Sequence, residues 1–198
     1  PNRLEVFVSA WREGDAFLYS DDLVCRGPSR TTRWRKADAT VARLRARNCV
    51  GNQVFTQTKY LQEIGGFDEN LLSAQDWDLW LRLAVSKGAG RHIPVATQIF
   101  ADNLNDARIS NSKRTWRGYY AAYLKIREDL SRDQRKSRLL TIAIARGRRL
   151  SPWLVATCLS ASTLRIYARE FVRWARKRLT RAHAPVSIGR QLNPPSVH

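Results

Sequence analysis

The residues best suited to chemistry lie in one segment, GGFDENLLSAQDWDLWLRLA, at residues 65–84. It carries four carboxylates within eleven residues: Asp68, Glu69, Asp76 and Asp78. Asp76 and Asp78 are predicted to lie in the first turn of a helix, where the helix dipole stabilises ionised carboxylates. A general base for a sugar hydroxyl must be unprotonated, positioned and backed by flat apolar rings. An ionised carboxylate of this pair, flanked by Trp77 and Trp80, meets these requirements.

The same residues also have a purely structural interpretation. Acidic residues in a first helical turn stabilise the helix, and tryptophans such as Trp77 and Trp80 pack well in a core. Residue spacing alone leaves both interpretations open.

Hydrophobic periodicity predicts the elements that position this segment. Apolar residues recur at helical spacing over residues 4–11, and short apolar runs at residues 16–20 and 93–100 indicate strands. A longer helix is predicted from about Gln75 to Lys87, ended by Gly88. Because helices and strands alternate, the first part of the chain is predicted to be α/β.

From residue 111 onward the pattern predicts helices alone. Ser131 and Gln134 match a capping box, and Ser151-Pro152 marks another helix start. The apolar run at 152–164 is shorter than the roughly 20 residues that a straight membrane-spanning helix needs. The first of these helices is predicted to bury one face: Trp116, Tyr119, Tyr120, Tyr123, Ile126 and Leu130.

Positive charge is concentrated in the second part. Residues 1–110 hold 15 Lys/Arg and 13 Asp/Glu, whereas residues 111–198 hold 20 and 4. The change in charge separates residues 1–110 from residues 111–182. The Pro-rich residues 183–198 are predicted to be a disordered tail. The basic region at 111–182 favours an anionic partner. Near its end an apolar stripe runs beside a basic stripe, as in an interfacial helix: Leu164, Ala168, Phe171, Ala175 and Leu179 beside Arg165, Arg169, Arg173 and Arg176.

Three interpretations of the basic region stay open. Residues 150–181 could dock on an anionic membrane, the whole region could bind nucleic acid, or it could be a solvated helical bundle. Segregated arginines favour the membrane, and nucleic acid is the least favoured partner because no known nucleic-acid module is visible.

Other sequence features exclude several classes of site. Cys25, Cys49 and Cys158 are odd in number and widely spaced, which indicates free thiols in a reducing cytoplasm. Three scattered histidines do not predict a zinc site. The chain begins at Pro1 and contains no methionine, so we expect it to be a fragment.

The segment at 65–84 resembles the signature of family 2 glycosyltransferases of the GT-A fold. In that family a Gly-Gly-Phe-Asp turn precedes an acidic pair, Trp-Asp-Leu and an arginine, and Gln75 here departs from the commoner glutamate of the pair. The matching residues here are Gly65-Gly66-Phe67-Asp68, Gln75-Asp76-Trp77-Asp78-Leu79 and Arg82.

The front of the chain and a later stretch add to the resemblance. Residues 1–5 resemble the segment that follows the family's metal-binding aspartates, and residues 48–55 match a segment facing donor and acceptor. The resemblance covers about residues 1–120. It implies the C-terminal half of a GT-A (Rossmann-like) domain, followed by the all-helical basic region.

The resemblance also implies a reaction and its residues. Asp76 matches the base that deprotonates a glycan or lipid-linked acceptor during an inverting transfer from a nucleotide sugar. Gln75, Trp77, Asp78, Gly51 and Asn52 are the implied substrate-binding residues, although Trp77 could equally be core and Asp78 is expected mainly to brace the helix with Arg82. The implied setting is cell-surface polysaccharide synthesis in the bacterial cytoplasm, at the inner face of the membrane.

A divalent metal, Mg²⁺ or Mn²⁺, is implied by the same resemblance, with its aspartate ligands missing from this chain. Asp21-Asp22 lies too far downstream to match them, so a turn or strand-end role is expected instead. Without a donor site, these residues alone are expected to be inactive. The alternative function is a basic nucleic-acid-binding or helical interaction module without catalysis.

Overall fold

A computed structural model describes residues 2–26, 29–33, 37–101, 114–147, 151–160, 163–164, 166–168 and 172. The chain divides into two compact units, Pro1–Thr163 and Leu164–His198. Every helix and strand given below lies in the first unit. The predicted tail at 183–198 and most of the predicted basic stripe lie outside the described residues.

A three-stranded mixed sheet forms the centre of the first unit. Strand β1 (Leu18–Arg26) pairs antiparallel with β2 (Ser29–Arg33) and parallel with β3 (Arg91–Ala101), in the order β2-β1-β3. Together with the helices, this sheet confirms the predicted mixture of α and β structure.

Asp21-Asp22 corrects one prediction, because the pair lies within β1 and not at a turn or strand end. Asp22 pairs with Arg33 on one side and Gln98 on the other. A buried Asp21 is tolerated because its Oδ1 lies 2.9 Å from Nε2 of His92, and buried polar groups need such partners.

Seven α-helices of the first unit lie in the described residues. Helix α4, which carries Asp76, has the predicted bounds, and Gly88 ends it at a φ of 110°. The helices are α1 (Arg3–Ala10), α2 (Val41–Ala46), α3 (Thr58–Glu63), α4 (Gln75–Lys87), α5 (Thr115–Ile126), α6 (Arg132–Ala145) and α7 (Pro152–Cys158).

The predicted helix starts at Ser131 and Ser151 are confirmed. Ser131 and Gln134 form both bonds of a capping box at α6, and Ser151 Oγ accepts a hydrogen bond from the backbone N–H of Leu154 at α7. Within the described ranges, every helix is too short or too polar to span a lipid bilayer.

Helix α5 buries the predicted aromatic face only in part: Tyr119 and Ile126 pack against the core and Leu130 is buried, but the fully buried residues of the helix are others. Thr115, Gly118 and Ala122 are its buried residues, while Tyr120 is 43% exposed. A Cβ on Gly118 would lie 2.4 Å from the backbone nitrogen of Ser73. Small residues therefore let α5 approach the chain just before α4, and the aromatic rings move to the flanks.

The main core lies between α4, α2 and the chain at the start of β1. Phe17, Tyr19, Leu44, Leu79 and Leu83 are almost completely buried there. Helix α5 contacts α4, and α6 contacts α2. The first helices of the basic region thus pack directly on the α/β part within one unit.

Candidate functional site

Asp76 lies in the first turn of α4, next to a backbone conformation that non-glycine residues rarely adopt. Ala74, the N-cap residue, has a φ of 64° and supplies no side-chain cap. The carboxylate of Asp76 instead accepts the Trp77 backbone N–H at Oδ1, over 2.8 Å. Strained backbone of this kind persists where the surrounding structure holds it, and it occurs often at functional sites.

Asn48 holds the second oxygen of Asp76. Its Nδ2 donates to Asp76 Oδ2 at 3.0 Å and to the Gly51 carbonyl at 3.3 Å. Its Oδ1 accepts the backbone N–H groups of Val50 and Gly51, at 3.1 and 2.9 Å. One side chain therefore fixes both the turn at 48–51 and the carboxylate. Sequence reasoning missed Asn48 as a site residue, although an asparagine three residues before a glycine is a recognisable turn signal.

Burial sets the protonation behaviour of Asp76. Removal from water raises the pKa of its carboxyl, and the hydrogen bonds from Trp77 and Asn48 oppose that rise. Burial, and then the charge of Asp76, also raise the pKa of the Tyr119 phenol. A carboxylate with a raised pKa accepts a proton more readily, as general-base catalysis requires.

Trp77 is a core residue in this structure. Its indole is 3% exposed, and its Nε1 donates to the Leu44 carbonyl at 2.6 Å. The guanidinium of Arg138 covers the ring, and Tyr119 meets it edge-on at 6.1 Å. Since a sugar can stack only on an open ring face, the core-packing alternative describes Trp77 here.

Asp78 is buried and bound to two cations. Its Oδ2 lies 2.8 Å from Arg82 Nε, and its Oδ1 lies 2.7 Å from Lys125 Nζ. Arg82 also donates to the carbonyls of Ile64 and Gly66, at 2.7 and 2.6 Å. This network joins the Gly65-Gly66 turn to α4 and to α5. Asp78 is therefore placed to stabilise the fold.

A cleft of about 290 Å³ lies beside these residues. Trp80, one helical turn after Asp76, forms part of it, and its Nε1 donates to the Gly51 carbonyl at 2.9 Å. Its lining residues are Arg3, Leu4, Phe7, Asn52, Gln53, Val54, Phe55 and Trp80. Of the predicted site residues, Gly51, Asn52 and Asp76 thus come together, with Gln75 adjacent to Asp76. Trp77 and Asp78 point into the protein.

The described residues contain no cluster of three or more His, Cys, Asp or Glu side chains able to hold a metal ion. Asp21 is turned towards His92 inside the sheet, which does not fit a metal ligand open to substrate. We therefore assign no step of a reaction to a metal.

Comparison with known proteins gives one clear relative. The chain is 34% identical over 167 residues to "Putative colanic acid biosynthesis glycosyl transferase WcaA" of Escherichia coli (strain K12). The alignment covers 81% of this chain and 60% of that protein, so the chain spans less than two thirds of its relative's length. No protein-family model matches the chain, and no solved structure matches it significantly.

Proposed function

We propose that this chain is part of a glycosyltransferase of cell-surface polysaccharide synthesis, with Asp76 as the general base. The observation that carries the proposal is the position of Asp76, which is half-buried, oriented by Asn48, and one helical turn from the wall of a cleft. Similarity to a protein named as a colanic acid glycosyl transferase supports the same class of reaction.

In the proposed reaction, Asp76 accepts the proton of an acceptor hydroxyl as that oxygen attacks the anomeric carbon of a nucleotide sugar. The bond between the anomeric carbon and the nucleotide diphosphate breaks, and the configuration at that carbon inverts. Family 2 membership, the GT-A fold and a glycan or lipid-linked acceptor are parts of the proposal that the resemblance supplies.

Replacement of Asp76 by asparagine tests the assignment. In the complete gene product, Asp76→Asn should lower the rate of transfer by about 100- to 10,000-fold, which is the usual rate enhancement from general-base catalysis. Nucleotide-sugar binding should stay nearly unchanged. Glu69→Gln is the matched control, because it makes the same chemical change on an exposed residue of the same segment. Loss of nucleotide-sugar binding in Asp76→Asn would instead show a structural role.

We also propose attachment of residues 150–181 to an anionic membrane surface at the cytoplasmic face. Trp153 on α7 is 74% exposed and Leu159, just after that helix, is 47% exposed. Exposed apolar side chains in a basic region suit the boundary between lipid headgroups and chains.

A further inference from the structure

The cleft beside Asp76 has a size and lining that suit one sugar unit. About 290 Å³ lies at the small end of ligand pockets. The half-buried Val54 and Phe55 provide open apolar surface, whereas the lining rings of Phe7 and Trp80 are only 1% and 4% exposed. Asn52 and Gln53 are exposed and carry amides that can bond hydroxyl groups.

Arg3 brings a positive charge to this cleft without a carboxylate in direct contact. Its Nη1 donates to Gln53 Oε1 at 2.5 Å and to Gln98 Oε1 at 2.9 Å, and both acceptors are neutral amides. Its guanidinium lies over the Phe7 ring, 5.2 Å from the ring centre. Within the described part of the chain, its Nε and Nη2 make no hydrogen bond.

The environment of Arg3 favours an anion. Burial lowers the pKa of Arg3, and the more distant charge of Asp22 only partly opposes this effect. A partly desolvated guanidinium bonds a carboxylate or phosphate more strongly than it bonds neutral acceptors. Arg3 also lies in the first turn of α1, whose positive dipole end adds to the attraction.

We infer that this cleft binds a sugar unit carrying an anionic oxygen group, a carboxylate or a phosphate, with Arg3 as its charged ligand. The inference rests on the proposed function, in which the cleft is a substrate site next to the base. The turn at 48–51 that orients Asp76 continues into Asn52 at the cleft wall. The inference adds a substrate class to that function: at least one sugar unit that the protein binds carries an anionic group besides the diphosphate of the nucleotide sugar.

Binding of three small sugars to the full chain tests the inference. Methyl β-glucuronoside carries a carboxylate, glucose 1-phosphate carries a phosphate, and methyl β-glucoside is neutral. The tryptophan indole signals are followed by NMR, with Trp80→Phe identifying the Trp80 signal. At least one anionic sugar should shift that signal, and should bind about tenfold or more tightly than the neutral one, as expected for a charge-assisted contact. Preference for the glucuronoside would identify an acidic sugar as the ligand. Binding of glucose 1-phosphate alone would assign the cleft to the phosphate of the sugar donor and would overturn the added substrate class.

Two arginine variants separate a built site from general attraction to a basic protein. Arg3→Gln should remove the preference for the anionic sugar, and Arg12→Gln, an equal charge loss on the exposed surface, should keep it. Arg3→Lys, which retains charge, should bind with intermediate affinity. Equal weakening by Arg3→Gln and Arg12→Gln, or equal binding of neutral and anionic sugars, would overturn the inference.

Failure of the two proposals can be told apart. Asp76→Asn should leave binding of the anionic sugar intact, since Asp76 does not line the cleft. Unchanged transfer in Asp76→Asn would refute Asp76 as the general base. Lost sugar binding in Arg3→Gln in the same experiments would still support the cleft as an anionic-sugar site.

Discussion

The guanidinium carbon of Arg138 lies 3.3 Å from the centre of the Trp77 ring. Its Nε and Nη2 donate to the carbonyls of Arg45 and Leu44, at 2.8 and 3.1 Å. The Leu44 carbonyl also accepts the Trp77 indole N–H. One side chain of α6 thus bonds the C-terminal carbonyls of α2 and packs on Trp77 of the helix that carries Asp76.

Removal of this guanidinium should destabilise the fold. Burial lowers the pKa of Arg138 to about 9, with the charge of Asp78 acting in the opposite direction. Arg138→Met would leave the Arg45 carbonyl without its donor and the Leu44 carbonyl with the Trp77 indole alone, at a cost of about 2–4 kcal/mol in free energy of unfolding. Urea denaturation measures this cost as a lower midpoint at an unchanged slope. Arg132→Met, on the exposed surface of the same helix, should change stability by less than about 0.5 kcal/mol.

Replacement of Asn48 by aspartate should shift the pH dependence of transfer. The Asn48 hydrogen bond lowers the pKa of Asp76, so its loss and the added negative charge both raise that pKa. Asp76 then ionises at higher pH, and the acid limb of the kcat/KM profile shifts to higher pH. The new carboxylate can still accept the backbone N–H groups of the turn.

The control for this shift is Asn70→Asp, the same substitution on an exposed residue. Its profile should match that of the unmodified protein. An identical profile in Asn48→Asp would mean that Asp76 does not control the acid limb.

The pair of Asp15 and Arg91 should make stability depend on acid pH. Arg91 bonds both Asp15 oxygens, at 2.9 and 2.5 Å, and these bonds lower the pKa of the carboxyl. Because the folded pKa lies below the unfolded value of about 3.9, the contribution is complete above that pH and is lost as pH falls through the folded pKa.

Comparison with Asp15→Asn measures this contribution. At about pH 6 the variant should be less stable by about 1–2 kcal/mol, allowing for partial exposure. The gap should close in strong acid. A gap that is constant with pH would assign the loss to packing instead.

The exposed ring of Trp153 should contribute to membrane attachment. The protein should pellet with anionic liposomes at low salt, pellet less at high salt because charges are screened, and not pellet with neutral liposomes. Trp153→Ala should weaken anionic-liposome binding about tenfold, and Leu139→Ala, an exposed apolar residue on α6, should not. Absence of pelleting at low salt would remove the membrane proposal, and salt-sensitive binding to duplex DNA alone would favour the nucleic-acid alternative.

Local signals explain what could be predicted from the sequence. Helix α4 was predicted at its observed bounds because its apolar period is regular and Gly88 follows it. The caps at Ser131 and Ser151 need only residues within one turn. By contrast, Asp21 in a strand depends on His92, and Asn48 reaches Asp76 across 28 positions. Contacts between distant residues leave no periodic pattern to read.

The charge count of the second region also needed the fold to be interpreted. Lys125 is paired with Asp68 and Asp78, and Arg138 is buried. Lys125 is thus neutralised by carboxylates of the first region and Arg138 is withdrawn from solvent, so the formal excess of residues 111–198 overstates the charge that an external partner meets.

The close approach at Gly118 has a consequence for variation in this protein. Helix α5 carries Tyr119 and Lys125, and both reach the α4 region only because no side chain separates Gly118 from Ser73. Even one methyl group there would act as a wedge between the two segments. The contacts of Tyr119 and Lys125 with the α4 region therefore depend on position 118 staying glycine.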